Sequence, residues 1–433
     1  MKMKPHAASL LLSRRSGGQR RKWRLLAAIA LTALPVLGIG LISITRNGSD
    51  IAITFEAEQA VTYRLERKSN LTTAAWASIP GVNDLTAASN GPARITDPGA
   101  VALGQAFYRV KVTLCDLGLP SNATNALQYA AAMELCGTTT EAGTGPGVIS
   151  ASFTLASGAG VPDGRSRAIR PSFGNNVPRA GNAMVVLSTG AAAATGQVNP
   201  NFVAFQPGLN TGTSSAPPAD WLAAHGGTFP NLPGCPAPIG NMAHNPIMLT
   251  LRIRVPSDAH SFSLSVKFFS SEYPEYVCSP YNDIFVALLD STYAGTPANP
   301  ADKNIATANG GYLLGANLAF NNSTPFFTEC LNGQTGCAQG AVAGNTATCV
   351  GTAGITGTGM DTVATAFGGY CGNNNRVGGG TDWLAIRGNV VPGEIIVLRL
   401  ALWDTGDDFY DSVVLLDNFS WFPNTVSPGM SLE

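Results

Sequence analysis

With 433 residues, 45% of them hydrophobic, the chain can bury a substantial core and is long enough for two folded units. Only 12% of the residues are charged, while 49 Gly and 28 Pro punctuate the sequence; the mixture is too apolar for a disordered chain and too turn-rich for a helical one. Eight of the 26 Lys and Arg fall in the first 24 residues, which hold no acid, leaving 18 basic against 27 acidic side chains from Leu25 onward, so the body of the protein argues against a nucleic-acid partner.

The basic start reads as a targeting segment spanning residues 1–49. In "RRKWRLLAAIALTALPVLGIGLISITRNGSD" a positive stretch precedes about 20 apolar positions, Leu25 to Ile44, enough to span a bilayer. Pro35, Gly38 and Gly40 also suit cleavage, so a removed signal peptide and a retained anchor at 25–44 both stand. Either one exports the rest of the chain to the cell envelope or beyond, and the membrane is expected to be met only here.

Residues 50–114 predict a small β-sandwich. Ile51, Ile53 and Phe55 alternate, Val61, Tyr63 and Leu65 follow, Trp76 comes next, and "QAFYRVKVTL" closes the unit. The pattern "YRLERKSNLTTAAW" with "FYRV" resembles a small sandwich module found on many bacterial exported proteins, and that resemblance implies a spacer or accessory module.

A larger all-β domain is expected over 115–424, with 425–433 as a tail. It opens on one short helix in "SNATNALQYAAAMELCG", for which Ser121 or Asn122 offers an N-cap and Gly137 a stop. "GVISASFTLASG" and "AMVVLSTGAAAA" read as strands, and "DWLAAHGGTF" as a helical turn. In "IMLTLRIRV" the inner face is Ile247, Leu249, Leu251, Ile253 and Val255. In "HSFSLSVKFFSSEY" Phe262, Leu264, Val266 and Phe268 alternate with Ser261, Ser263, Ser265 and Lys267, predicting one buried and one wet face. "DIFVALLD" is apolar throughout. Residues 305–380, rich in Gly, Asn, Ala and Thr, read as a long excursion pinned by cysteines. "TDWLAIRGNV", "EIIVLRLALW" and "SVVLLDNFSWF" supply three more strands. Together these predict an antiparallel β-sandwich of jelly-roll type with long loops.

All eight cysteines, Cys115, Cys136, Cys235, Cys278, Cys330, Cys337, Cys349 and Cys371, follow the export segment, and no CxxC occurs. Disulfides are expected in an exported chain. Proximity suggests Cys115 with Cys136 and Cys330 with Cys337.

No catalytic residue is identified. The sequence holds no HExxH, G-x-S-x-G, P-loop or GxGxxG at a strand–helix junction. Glu272, Glu275 and Asp283 invite comparison with a glycosidase carboxylate pair, but Pro274 and Pro280 break their segment into loop. Polysaccharide hydrolysis or lyase chemistry is therefore the runner-up.

The acids of "LWDTGDDFYDSVVLLDN" carry the leading reading. Asp404, Asp407, Asp408 and Asp411 would share one face of a helix, yet strands on both sides predict a loop. Calcium takes six to eight oxygens, and Glu272, Asn282 and Asp283 could add theirs if the two loops meet. A purely structural envelope component with a solvated acidic loop and no metal is the competing reading.

The two blocks "FFSSEYPEYVCSPYNDIF" and "LALWDTGDDFYDSVVLLDNF" resemble the choice-of-anchor L family of bacterial surface domains. "CDLGLPSNATNALQYAAAMELCG" and "AMVVLSTG" extend the likeness from Cys115 to Phe422. The family pattern carries onto Glu272, Tyr273, Pro274, Glu275, Asn282, Asp283 and Phe285, and onto Asp404, Asp407, Asp411 and Ser412. It implies an exported or surface-attached β-rich domain with no established enzymatic activity. The leading expectation is a non-catalytic exported protein whose Ca2+-binding sandwich presents long loops for adhesion, to a glycan or a surface protein. The sorting tail of the family is not evident in "SPGMSLE", so anchoring is expected to fall to the N-terminal segment.

Overall fold

Alternating strands account for nearly every regular element of the computed structural model, which describes residues 9–12, 25–26, 41–57, 62–69, 77–83, 85–87, 89, 91–103, 105–112, 118–197, 205–206, 208–308, 311–322, 326–361, 371 and 378–433. The chain forms two units, Met1–Leu114 and Cys115–Glu433.

In the first unit, strands Leu41–Asn47, Asp50–Ala57 and Gly91–Asp97 make one antiparallel sheet. Thr62–Lys68 and Phe107–Val112 pair in another. The alternation buries Ile51, Ile53 and Phe55 against Tyr63, Leu65, Tyr108 and Val110. Asp97 is fully buried, and the Arg67 guanidinium grips both its oxygens at 2.9 and 2.7 Å while the Tyr108 hydroxyl donates at 2.8 Å. The end of the apolar run expected to be a signal or anchor enters this sheet as Leu41–Asn47. Most of that run, 27–40, lies outside the described residues, as do Val61, Trp76 and Cys115. Among the described residues no helix is long and apolar enough to cross a membrane.

The second unit is the larger sandwich. Its main strands are β1 (Gly147–Thr154), β2 (Arg167–Arg170), β3 (Met184–Ser188), β4 (Ala243–Arg254), β5 (Ser261–Ser270), β6 (Ile284–Asp290), β7 (Gly379–Thr381), β8 (Leu384–Asn389), β9 (Ile395–Thr405), β10 (Ser412–Phe422) and β11 (Gly429–Leu432). One sheet runs β1–β4–β9–β6 and continues into Tyr312–Gly315. The other runs β2–β3–β10–β5–β7, with β8 also on β5 and β11 on β8. Every pairing among these strands is antiparallel. Successive long strands, β4 to β5 to β6 and β8 to β9 to β10, switch sheets, which is the jelly-roll habit. Residues 429–432 thus belong to the second sheet rather than to a loose tail.

The core lies between the sheets. Ile247, Leu249, Leu251 and Ile253 of β4 face Phe262, Leu264, Val266 and Phe268 of β5 there. Both outer faces are covered as well. Trp221, on the short helix α2 (Ala219–Ala224), packs edge-on to Trp403 of β9 at 5.6 Å. On the opposite sheet Phe173, Ile355 and Met360 cover Val186, Phe269, Val413 and Leu415. This double cover explains why β6, β9 and β10 are apolar on both faces.

It also corrects the expected wet face of β5. Ser261, Ser265 and Lys267 are buried at 0%, 1% and 3% exposure, because residues 326–361 and the C-terminal segment lie over them. The first helix, α1, is shorter than predicted, at Ala126–Ala132. Asn125 rather than Ser121 or Asn122 caps it, accepting from the Leu127 N–H at 3.0 Å, and it ends at Met133 with Glu134 at φ +68°, before Gly137.

The cysteines pair as Cys235–Cys278, Cys330–Cys349 and Cys337–Cys371. Sequence proximity misled for Cys330 with Cys337. A hairpin of Gly333–Thr335 with Gly344–Thr346 carries Cys337 away and returns Cys349 to Cys330, where the Asn332 amide braces the Cys349 backbone at both ends. Cys136 is disulfide-bonded, but the pairing expected with Cys115 lies outside the described residues.

Candidate cation site

Strand ends from both sheets converge at one end of the sandwich. β9 runs to Thr405 and so delivers Asp404 from within the strand, while β10 starts at Ser412 with Asp411 just before it. β5 ends at Ser270 and leads into Ser271 and Glu272, and Asp283 immediately precedes β6. The acidic segment between β9 and β10 is therefore a loop and not a helical face.

Hydrogen bonds tie these ends together. The Ser412 hydroxyl donates to Asp283 Oδ2 at 2.5 Å, and the Asp283 N–H points at Glu272 Oε2 at 3.5 Å. Asn245, beside an irregularity in the β4 register, donates its amide to Asp404 Oδ2 at 3.0 Å. The Leu209 N–H reaches Asp411 Oδ2 at 3.3 Å. Backbone bonds close the frame, from Ser271 N–H to the Asp411 carbonyl and from Thr189 N–H to the Ser412 carbonyl, each at 3.0 Å. Gly190 packs on Asp411 so closely that a Cβ there would come within 2.1 Å of Oδ2.

Glu272, Asp283, Asp404 and Asp411 are each no more than 1% exposed. Among the described residues Asp283 Oδ1, Asp404 Oδ1 and Asp411 Oδ1 have no hydrogen-bond partner, and neither do Ser271 Oγ and Thr405 Oγ1 nearby. Such orphaned buried oxygens are costly.

Electrostatics follow from this crowding. Burial first, and then the charges of Asp407 and Asp404, hold Glu272 well above the usual carboxylate range. Asp283 is raised by burial and by Glu272, with the Ser412 hydroxyl opposing. Asp404 is raised by burial, Asp283 and Asp411. Burial pushes Asp411 up to about 8, and Asp407 is raised mainly by burial too. No Lys or Arg is among the charges acting on these five acids.

Of the seven residues predicted to ligate, five, Glu272, Asp283, Asp404, Asp407 and Asp411, make up this cluster, and the charge of Asp408 acts on it through Asp407 alone. Two have other partners. The Asn282 side-chain Oδ1 accepts from the Asn317 N–H at 3.1 Å, and Asp408 accepts from the Asn210 amide. Among the described residues no three Asp, Glu, His or Cys side chains already stand in metal-holding geometry. Asn245, Thr189, Gly190 and Ser271 were not foreseen. Thr189, Gly190 and Ser271 fall in stretches that carry the family likeness, but nothing in those stretches or in "AHNP" singles these residues out as part of a site.

The choice-of-anchor L domain matches residues 174–422, more than half of the chain and the whole of this cluster. The chain belongs to the choice-of-anchor L family. No curated protein matches it. Family membership marks this as a surface or exported protein, and the family is not an enzyme family. The β-rich fold that the two sequence blocks implied is the one observed for the choice-of-anchor L domain here.

Proposed function

We propose that this choice-of-anchor L domain holds one Ca2+ at the end of its sandwich, and that the ion locks loops which the exported protein presents for adhesion to a glycan or a surface protein. The observation that carries the reading is the trio of fully buried aspartates, Asp283, Asp404 and Asp411, each with an oxygen lacking a partner. Buried carboxylates must be neutralised by protons or by a cation. A hard, oxygen-seeking divalent ion suits a set made only of carboxylate, hydroxyl and carbonyl oxygens. Drawing the acids onto one ion takes a local contraction of side chains, with Glu272, Asp283, Asp404 and Asp411 as ligands and Asp407 at the edge.

The enzyme reading has less support, because Glu272 and Glu275 are only 1% and 4% exposed and a polysaccharide cannot reach them in this state. Thermal unfolding with Ca2+ and with chelator tests the proposal. Calcium at about a hundredfold its Kd adds about 2.7 kcal/mol to a folded state that alone binds it. The shift is expected to vanish in Asp404→Asn/Asp411→Asn, and an unshifted wild-type transition would remove the cation from the reading.

A further inference from the structure

A second charged cluster lies on the outer face of β5, remote in role from the cation site. Lys267 is 3% exposed, with its ammonium 5.6 Å above the Phe269 ring. Two carboxylates approach it: Glu329 Oε1 at 3.5 Å, from the Phe327–Glu329 strand, and Asp382 Oδ1 at 3.5 Å, just after β7. Gly354 closes the group from above. Its N–H donates to Glu329 Oε2 at 2.8 Å, and a Cβ there would lie 2.6 Å from both Lys267 Nζ and Glu329 Oε1.

This is a poor salt bridge. Charge-assisted bonds settle near 2.7–2.9 Å, and the exposed Lys303 reaches Asp220 at 2.8 Å in this same protein. Lys267 gives up water and gains two contacts at the outer limit of hydrogen bonding, so an ion pair repays its burial badly. The arrangement does suit a covalent bond. The Lys267 nitrogen stands 3.5 Å from one oxygen of each carboxyl group, so one carboxylate can take its proton while the other is attacked, and a backbone N–H is aimed at the Asp382 carboxyl, from Trp383 to Oδ1 at 2.7 Å.

We propose that Lys267 and Asp382 are joined in the mature protein by an intramolecular amide, formed with Glu329 as proton carrier. Glu329 takes a proton from the Lys267 ammonium and relays it to Asp382 Oδ2, and the neutral amine attacks Cγ of the protonated carboxyl. The Trp383 N–H holds the negative charge that develops on Oδ1. The Cγ–Oδ2 bond then breaks, and that oxygen leaves as water with two of the three ammonium protons, one returned through Glu329. An ammonium and a carboxylate become one amide and one water, and no oxidant or co-reactant is consumed. Held reactants reach effective molarities of about 10⁵–10⁸ M, which offsets the reluctance of an amine and a carboxylate to condense in water. Asp382, with its side chain 60% exposed, gives the departing water a route out. The bond would tether β5 to the strand-end beyond the long excursion, across 115 residues.

Intact-mass spectrometry of the full chain after disulfide reduction tests this, with Glu329→Gln as the comparison. The wild type is expected to be lighter by one water than its sequence requires. Peptide mapping should find trypsin blocked at Lys267 and one branched peptide joining Lys267 to Asp382. Lys267→Arg, Asp382→Ala and Glu329→Gln should all return to full mass. A wild type at full mass with free Lys267 overturns the proposal, and so does a branch that maps to Glu329. Since the wild type alone decides, poor folding of a variant cannot obscure the result.

Discussion

The Ser412 hydroxyl donates to Asp283 Oδ2 at 2.5 Å, joining residues 129 positions apart, the first of β10 and the one just before β6, strands of opposite sheets. One bond thus fixes the distance between the start of β10 and the start of β6, and with it the spacing of Asp411 from Asp283. Both partners are buried, so neither has water as a substitute. In Ser412→Ala the Asp283 carboxylate loses its hydroxyl donor. A buried acceptor left in this way costs about 1–3 kcal/mol. Urea unfolding should show that loss, and Ser412→Ala on an Asp283→Asn background should cost measurably less.

Gly190 offers a steric counterpart. Its backbone is not in the left-handed region, so alanine there meets no conformational penalty, only the Asp411 carboxylate at 2.1 and 2.5 Å. Overpacking of this kind typically costs about 1–3 kcal/mol. Gly190→Ala should lower the melting temperature and shrink any calcium-dependent rise, because the displaced group is a proposed ligand. Alanine at Gly145, where a Cβ would meet nothing within 4 Å, should leave both readouts unchanged.

The contrast between these residues explains how far the sequence could be read. Phe262, Leu264, Val266 and Phe268 were legible because a two-residue period reports directly on a buried face. Their neighbours Ser261, Ser265 and Lys267 looked solvated by the same rule, and were not, because polarity at a position says nothing about segments folding over it from 62 residues away at Lys267 and from more than 150 at Ser261 and Ser265. The acids of the site stood out by charge in a charge-poor chain, and the family resemblance coupled their two loops. Asn245 and Gly190 serve that site by position alone. Cysteine pairing was illegible for a related reason, since the hairpin that returns Cys349 to Cys330 is made of Gly, Gln, Thr and Asn with no periodic signal.

Asp417 sets a pH dependence. It lies on β10, accepting from the N–H groups of Arg179, of Ala180 at 3.1 Å and of Asn418 at 2.8 Å, with Glu134 alongside. Burial outweighs these donors and pushes its carboxyl up from 3.8 to about 7. The folded state therefore holds a proton that the unfolded state releases near pH 4. The contribution is complete below that pH and is lost as pH rises through about 7. Asp417→Asn mimics the protonated acid. Denaturant unfolding between about pH 4.5 and 7.5 should show wild-type stability falling more steeply than that of the variant, and parallel curves would contradict the assignment.

The excursion over β5 is held by two interleaved disulfides, Cys330–Cys349 and Cys337–Cys371, closing separations of 19 and 34 residues. A disulfide over a loop of this size typically contributes about 2–4 kcal/mol, but the element it constrains decides where the loss is felt. Phe327 and Cys330 reach the central core, whereas Ile355 and Met360 pack only on the outer face of the second sheet. In Cys330→Ser/Cys349→Ser the hairpin of Gly333–Thr335 with Gly344–Thr346 loses its closure, and Cys337–Cys371 still holds one flank. Hydrogen exchange should therefore rise first across residues 327–351 and at Gly354, while the amides of β5 and β10 keep their protection. Uniform loss of protection across the sandwich would mean that the excursion is a structural part of the core and not a cover laid over it.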